Sequence, residues 1–482
     1  MEDRVTLFGR LGRHVAVYAL GDLAVRAAGF LLIPLYTQRL PLDSFGVLGI
    51  IQVVEAGLGL LLNMGFSTAI MRRVGRGGEG VREEVFSALM VLIGVTFLVL
   101  GALATVAPPV TRALFGGALE PELLRWVLAG VLFSTLKLFV ISLLRAEGKA
   151  GAYVLFNLAH FVGMVTLNIV FIAGLGLGLR GAVWANVAAV GLVLIFMLPV
   201  LMPRIRPAWR GSAVRAFLAY GFPLMPGMLG MWVVAMSNRF FIQHYRGVED
   251  VGFYTLGFRI AMVLQIALVI PFRTAWLPIM FSLRDKAGSR RVFGLVLTYF
   301  TGLASFGTLA IALFAPEIVA MLAPAEYERA ASVAPLLALG YLLYGIYFVV
   351  DNGVLLGGRT RAYPLVTGLA AAVNIGLNFV LVPAMGIMGA AIAALAAYLI
   401  LAVVMARVSA RVFPIPYEFG RALLPIAIAM LLYLAAVAGG TYLRSGSVVL
   451  KGLCLVAYPL LLCTAGYFRE PQRLLALFRR QP

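Results

Sequence analysis

Residues 181–202 read GAVWANVAAVGLVLIFMLPVLM, and residues 203–210 follow as PRIRPAWR. The first stretch carries no charge over a length that, wound as a helix, reaches about 30 Å, the hydrocarbon thickness of a bilayer. The second brings Arg204, Arg206 and Arg210 together in a short hinge. The same alternation of apolar run and basic hinge extends in both directions along the chain. Of its 482 residues, 62% are hydrophobic and only 12% charged, with a mean hydropathy of +1.00. A soluble domain has about a quarter of its residues charged, so a water-facing globule is excluded and a polytopic membrane protein is expected.

The net charge of +19 invites a nucleic-acid reading, since basic chains track phosphate backbones. The arginines, however, are spread over hinges between apolar runs rather than gathered on one patch, and no nucleic-acid partner is expected. Cys454 and Cys463 lie in one late apolar run and carry neither a disulfide framework nor a metal site. Met1–Arg10 is polar without a cleavable signal pattern, so the first hydrophobic run is expected to be retained.

Apolar runs between charged or Pro/Gly hinges predict an all-α chain of fourteen transmembrane helices. They lie near residues 13–39, 44–71, 85–107, 123–145, 151–174, 180–202, 214–245, 251–283, 291–314, 330–357, 362–382, 386–406, 419–443 and 447–468. The N-terminal segment (Arg4, Arg10, Arg13) and the even-numbered gaps hold most of the 39 basic residues. Arg72, Arg73, Arg76 and Arg82 fill one such gap, and Arg284, Lys286, Arg290 and Arg291 another. By the positive-inside rule both termini are expected on the cytoplasmic side.

The sequence also repeats itself at an offset of about 206 to 210 residues. Asp43-Ser44-Phe45-Gly46 returns as Asp250-Val251-Gly252-Phe253, and Glu84-Val85-Phe86 as Arg291-Val292-Phe293. Ala107-Pro108 returns as Ala315-Pro316, and Gly148-Lys149-Ala150-Gly151-Ala152-Tyr153 as Gly358-Arg359-Thr360-Arg361-Ala362-Tyr363. Leu167-Asn168 and Gly181-Ala182 return as Leu377-Asn378 and Gly389-Ala390. Each copy holds six spans, an even number, so the copies are expected to be parallel about an axis along the membrane normal, as in transporters that bind substrate between two halves. The expected division is an N-terminal six-helix lobe (1–203), a C-terminal six-helix lobe (204–412), and two additional helices with a basic cytoplasmic tail (413–482).

Signatures of catalysis are missing. No G-x-x-x-x-G-K-[ST] loop is present, and His14, His160 and His244 lie far apart without zinc spacing. No span holds a short-spaced carboxylate pair for acid–base work, and the gaps between spans leave no room for a large extracytoplasmic domain. The chain is not expected to be an enzyme and needs no cofactor.

The stretch Phe45-Gly46-Val47-Leu48-Gly49-Ile50, running to Asn63-Met64-Gly65-Phe66-Ser67-Thr68-Ala69-Ile70-Met71-Arg72-Arg73, resembles the second helix of the polysaccharide-transporter (O-antigen flippase) family. That family belongs to the multidrug/oligosaccharidyl-lipid/polysaccharide exporter superfamily. Gly252-Phe253-Tyr254 with Pro278, and Leu355–Tyr363 into Asn374–Asn378, are similar to its eighth helix and its tenth-to-eleventh helix region. The resemblance implies a V-shaped bundle of two six-helix repeats with two trailing helices. It also implies a flippase moving undecaprenyl-diphosphate-linked oligosaccharide to the outer leaflet of a bacterial or archaeal cytoplasmic membrane by alternating access. Membrane lipids, and a polysaccharide polymerase with its chain-length machinery, are the implied partners.

Ionisable groups inside spans are costly and mark pathways by default. The cations are Arg273, Arg26, Lys137, Arg259 and Arg239; the carboxylates are Asp22, Glu55 and Asp351. Arg273 stands between Pro271 and Pro278, deep in span eight. Its bidentate, permanently charged fork suits a diphosphate, and pairing with a neighbouring carboxylate is the plainer alternative. Asp22 lies four residues before Arg26, which suits a self-neutralised pair as well as a substrate contact. Lys137 is too deep to snorkel easily, whereas snorkelling would account for Arg239 and Arg259. The three carboxylates could couple transport to a proton or sodium gradient, or pair with arginines. Span five carries Asn157, His160, Met164 and Asn168 on one stripe, echoed by Thr367, Asn374 and Asn378 in span eleven. These groups suit sugar hydroxyls, though interhelical hydrogen bonds are their ordinary use. Tyr341, Tyr344 and Tyr347 could stack on sugar rings or simply pack. A lipid II flippase, a cation-coupled multidrug exporter of the same superfamily and a membrane-embedded glycan polymerase or ligase remain open as alternatives.

Overall fold

The structure is a computed structural model that describes residues 21, 28–284, 288–442 and 447–467. Among these the regular elements are helical, with no strand. Chains in lipid must satisfy every backbone N–H and C=O internally, and a helix does so within one segment. The early helices are α1 (Ile33–Arg39), α2 (Leu42–Asn63), α3 (Phe66–Arg76), α4 (Val81–Thr105), α5 (Ala107–Phe115), α6 (Pro121–Ala146), α7 (Ala150–Asn168) and α8 (Gly178–Leu201). Then come α9 (Gly211–Gly221), α10 (Met225–Met236), α11 (Asn238–Arg246), α12 (Val248–Leu264), α13 (Ile270–Leu283) and α14 (Ser289–Leu322). The last are α15 (Ala334–Val350), α16 (Asn352–Leu356), α17 (Ala362–Met385), α18 (Ile387–Val412), α19 (Phe419–Tyr442) and α20 (Ser447–Thr464).

Among the described residues, twelve helical stretches are long and apolar enough to cross a membrane, and Val448–Thr464 is a shorter apolar helix. The chain is a multi-pass, all-α membrane protein. The first expected span (13–39) is described only from residue 28 apart from Gly21, so most of it lies outside the described residues.

Several expected spans are less regular than a hydropathy reading implies. Span two is cut after Asn63 by Met64 and Gly65, both left-handed at φ 47° and 72°. Span seven is four pieces: α9, a 3-10 turn at Phe222–Leu224, α10 and α11. Pro223 and Pro226 remove backbone donors at the first of these joins. Span eight runs from α12 through a π-helical segment, Gln265–Val269, into α13. The widened turn lies just before Pro271, whose ring cannot donate to the preceding turn. Ala107-Pro108 starts a new helix, whereas Pro316 sits inside the 34-residue α14.

The chain forms two compact units. One comprises the described residues up to Thr255 with Leu322–Pro324 and Ile375–Ala390; the other comprises Leu256–Met321, Ala325–Asn374 and the described residues from Ala391. In the first unit, Phe66, Ile70, Leu92, Phe139, Leu144 and Met197 share one buried core, with Phe66 edge-on to Phe217 at 6.1 Å. In the second, α19 and α20 pack on α14 through Leu309, Leu313, Tyr458 and Leu462. Tyr458 donates to the Gly302 carbonyl at 2.8 Å. Around Trp276, Met280 and Phe293 a further core forms in this unit.

The repeated motifs acquire physical meanings. Gly148 (φ 71°) ends α6, and Lys149 N–H returns to the Leu144 carbonyl at 2.9 Å, satisfying an orphan acceptor of the last turn. Gly358 (φ 69°) does the same after α16, with Arg359 N–H on the Val354 carbonyl at 3.2 Å. Each motif ends in a tyrosine that reaches back: Tyr153 is hydrogen-bonded by Arg145, and Tyr363 donates to Asp351 at 2.9 Å. The Phe/Gly motif brings α2 against α12 within the first unit. A Cβ on Gly46 would strike the Val248 carbonyl, and one on Gly252 would lie 2.9 Å from the Leu42 carbonyl and 3.5 Å from the Gly46 nitrogen. The glycines of the two paired stretches, one position apart in that pairing, thus meet across a bare backbone contact.

Asn168 and Asn378 also play matching parts. Asn168 accepts from Tyr36 of the first span at 2.9 Å, and Asn378 donates to Asn238 of the seventh at 2.7 Å. Both asparagines are fully enclosed. Replacing Asn168 by Leu is expected to destabilise the protein by about 1–2 kcal/mol, since the Tyr36 hydroxyl loses its acceptor in an apolar setting. Thermal unfolding in detergent measures this, and Tyr36→Phe in the Asn168→Leu background should cost nothing further.

Candidate functional site

The first unit places a cation, an imidazole and a carboxylate on neighbouring membrane-crossing helices. Lys137 of α6 lies 2.7 Å from Nδ1 of His160 on α7. An ammonium only donates, so His160 accepts at Nδ1 and carries its own proton on Nε2. Two ammonium donors remain for other acceptors. Glu55 of α2 lies against Gly130 of α6, where a Cβ would stand 3.8 Å from its Oε1. Gly130 and Lys137 are seven residues apart, hence on one helix face and separated by about 10 Å along the axis. Among the described residues, Glu55 has no ion-pair partner and Lys137 no carboxylate within ion-pair distance.

The second unit builds its polar centre where α15 gives way to α16. Asp351 is the single residue between the two helices. It is 1% exposed; Tyr363 donates to its Oδ2, while Oδ1 has no partner among the described residues. Next to it Asn352 accepts from the Trp276 indole at 3.2 Å, which fixes α13 against this break. Arg273 is exposed on α13 and lies over the Phe348 ring at 3.8 Å. It is close enough to Asp351, Tyr347 and Tyr363 to act on each electrostatically, yet makes no ion pair at contact distance among the described residues. An arginine facing hydrocarbon costs several kcal/mol or more, so the face carrying Arg273 meets water or a polar ligand. Tyr417, on the loop before α19, donates to the Val349 carbonyl at 3.1 Å. Burial, and then the charge of Asp351, hold its hydroxyl well above the usual tyrosine range, so it remains a donor.

The remaining sequence candidates are distributed differently. Asp22 and Arg26 lie outside the described residues. Arg239 and Arg259 do not snorkel: they are 2% and 5% exposed. Arg239 donates to Thr255 Oγ1 at 3.2 Å and lies 5.6 Å from the Tyr254 ring centre. The length of the side chain allows an interface; the hydroxyl two turns into α12 holds it inward instead. Asn157 and Asn374 are buried, like Asn168 and Asn378. Tyr341, Tyr344 and Tyr347 pack among themselves and their neighbours: Tyr344 lies 6.0 Å from Tyr347 with parallel rings, 4.5 Å from Phe348 and 5.5 Å from Tyr398. Among the described residues no group of three His, Cys, Asp or Glu could hold a metal ion.

Sequence reasoning missed Phe348 and Tyr363. Tyr363 closes a repeated motif, which was a signal of position but not of its acceptor. Phe348 lies three residues before Asp351, on the same helical face.

Comparisons with known proteins agree with this architecture. The profile of a family described as "Polysaccharide biosynthesis protein" matches residues 11–284, more than half of the chain. A search of the curated proteins finds no match. Among solved structures, the lipid II flippase MurJ in an inward closed conformation is similar with a TM-score of 0.77 at 12% identity, over 94% of this chain and 99% of that one. A mutant of the Vibrio cholerae MATE transporter VcmN gives 0.60 at 18% identity, over 85% and 98%. A MOP superfamily transporter from Pyrococcus furiosus, whose binding pocket is described as reversed in polarity, gives 0.61 at 18%, over 83% and 95%. These likenesses are of fold, and the family match adds membership: the chain belongs to the family described as polysaccharide biosynthesis protein.

Proposed function

We propose that the chain is an alternating-access flippase that moves undecaprenyl-diphosphate-linked oligosaccharide from the inner to the outer leaflet of the cytoplasmic membrane, for surface polysaccharide assembly. The observation that carries this reading is the presence of two cations on membrane-crossing helices, Arg273 and Lys137, with no carboxylate at ion-pair distance among the described residues. A diphosphate is the acceptor such groups lack: Arg273 offers a bidentate fork and Lys137 a point charge with donors to spare. His160, tied to Lys137, is a polar group available to the first sugar. Asn168 and Asn378, engaged in helix packing, are left out of the proposed site, and Arg239 and Arg259 act as support. Glu55 and Asp351 are the carboxylates through which a proton or sodium gradient would drive the cycle. Membrane translocation breaks no covalent bond, so no enzymatic step is required. In this reading both termini face the cytoplasm, and a polysaccharide polymerase receives the product.

The test is glycan export in a host lacking its own flippase. Lys137→Gln is expected to lower export about tenfold, the loss of one charge-assisted hydrogen bond, while Lys137→Arg retains most of it. Unchanged export from a combined Lys137→Gln/Arg273→Gln variant defeats the proposal. A second reading, cation-coupled multidrug export, is favoured by the unpaired Glu55 and the partnerless Oδ1 of Asp351. Drug resistance that disappears with Glu55→Gln or Asp351→Asn would support it. A lipid II flippase shares the cationic chemistry, and rescue of a strain lacking its lipid II flippase distinguishes that substrate.

A further inference from the structure

The ends of α3, α4, α6 and α8 in the first unit, with the connector from α8 to α9, enclose a pocket of about 910 Å³. It shares no lining residue with the groups considered above. Its charges do not cancel: Arg82, Lys149, Arg204, Arg206 and Arg210 outnumber Glu79, Glu83 and Glu147. Glu147 holds Arg204 at 2.8 Å and Lys149 at 3.3 Å, and Glu83 meets Arg206 at 3.4 Å. Arg82 and Arg210 also line the pocket, and among the described residues no carboxylate pairs with either. The guanidinium of Arg210 lies on the backbone of Gly80, where a Cβ would come within 2.7 Å of its central carbon. Gly77, Gly78 and Gly80 all have left-handed backbone, at φ 65°, 105° and 76°, so that Glu79 is the one side chain carried by this stretch of the wall. Gly80 opens the 25-residue α4, whose first-turn amides are capped by no side chain.

The far wall is the connector that joins the two sequence repeats, and it is fastened across the start of α4. Arg206 N–H donates to the Arg82 carbonyl at 3.3 Å, and Arg210 N–H to the Ser87 hydroxyl at 2.8 Å. Met202 and Trp209, beside these wall residues in sequence, are 60% and 62% exposed. A small soluble anion has no use for such side chains at the end of membrane-crossing helices, whereas an amphiphile does.

We propose that this pocket binds the phosphate-bearing headgroup of a lipid, its phosphate held by Arg82 and Arg210 against the glycine loop and its chains beside Met202 and Trp209. Occupancy would then fasten the connector between the repeats further. The inference is independent of what the protein transports, because the binding is measured without transport.

Native mass spectrometry of the full chain in detergent, titrated with phosphatidylglycerol, phosphatidylcholine, undecaprenyl diphosphate or inorganic phosphate, tests it. Phosphatidylglycerol is expected to be retained over phosphatidylcholine, whose ammonium opposes the basic lining. Arg82→Gln/Arg210→Gln should weaken phosphatidylglycerol about thirtyfold, from the loss of two basic residues near an anionic headgroup. Gly80→Val should weaken it as well, by pushing Arg210 aside. Preference for undecaprenyl diphosphate supports the pocket and assigns its phosphate to the cargo lipid rather than to the bulk leaflet. Equal retention of phosphatidylglycerol and phosphatidylcholine, or equal affinity in wild type and variant, overturns the proposal. Displacement by an equal concentration of inorganic phosphate overturns it too, since the site then serves a soluble anion. Should the double variant fail to fold, the headgroup comparison on the unaltered chain decides.

Discussion

Arg273→Gln is expected to reduce glycan export by about tenfold to a hundredfold, the equivalent of about 1.5–3 kcal/mol lost with a charged hydrogen-bonding group. The protein should nonetheless unfold at nearly its original temperature. Arg273 is exposed, makes no ion pair and touches the Phe348 ring at 3.8 Å; such a cation–π contact contributes about 0.5–1 kcal/mol at an exposed site. A residue retained for packing would show the opposite pattern, losing stability in step with export. Arg273→Lys keeps the charge but loses the fork, and should recover part of the export. Export assays in a flippase-null host, paired with unfolding of the purified variants, separate the two patterns. If Arg273→Gln exports normally, Arg273 is removed from the transport pathway.

Gly46→Ala is expected to cost about 3 kcal/mol of stability, at the upper end of the usual penalty for overpacking. The new methyl has no flexible side chain to displace, because what it meets is the Val248 carbonyl of α12. The two helices must separate, and the next turn then loosens as well, where Gly49 lies against the Thr255 hydroxyl. Gly252→Ala should do the same from the other side, by contact with the Leu42 carbonyl. Once the helices have moved apart for one methyl, room for the other exists. The double variant should therefore cost clearly less than the sum of the singles, a coupling of the kind expected for residues in contact. Detergent unfolding of the three variants measures this, and additive penalties would refute the shared contact.

The apolar runs exposed most of the fold because a span is a property of one segment, readable without its neighbours. The interruptions were less visible. Nothing in the periodicity of residues 251–283 marks the π-helical turn at Gln265–Val269, although Pro271 announces that some adjustment must occur nearby. For the site, charge placement found Lys137, Glu55, Arg273 and Asp351, since an ionisable group in a membrane helix is conspicuous wherever it points. It could not tell which would be enclosed. Arg239 looked like a residue that could reach an interface, but Thr255 on the following helix draws it inward. That depends on how two helices pack, which no single stretch encodes. The asparagine stripe left two uses open for a related reason: an amide suits a sugar or a neighbouring helix, and the neighbour, Tyr36 for Asn168, lies 132 residues away.

The meeting of Gly46 with Gly252 joins the two matched stretches of the sequence through bare backbone. The two glycines stand one position apart in the paired stretches, and each approaches the backbone of the other copy. A patch that contacts its own counterpart is the isologous interface of a two-fold dimer. Six spans return the chain to the side from which it started, so two separate six-span polypeptides would insert with the same orientation and could adopt this contact.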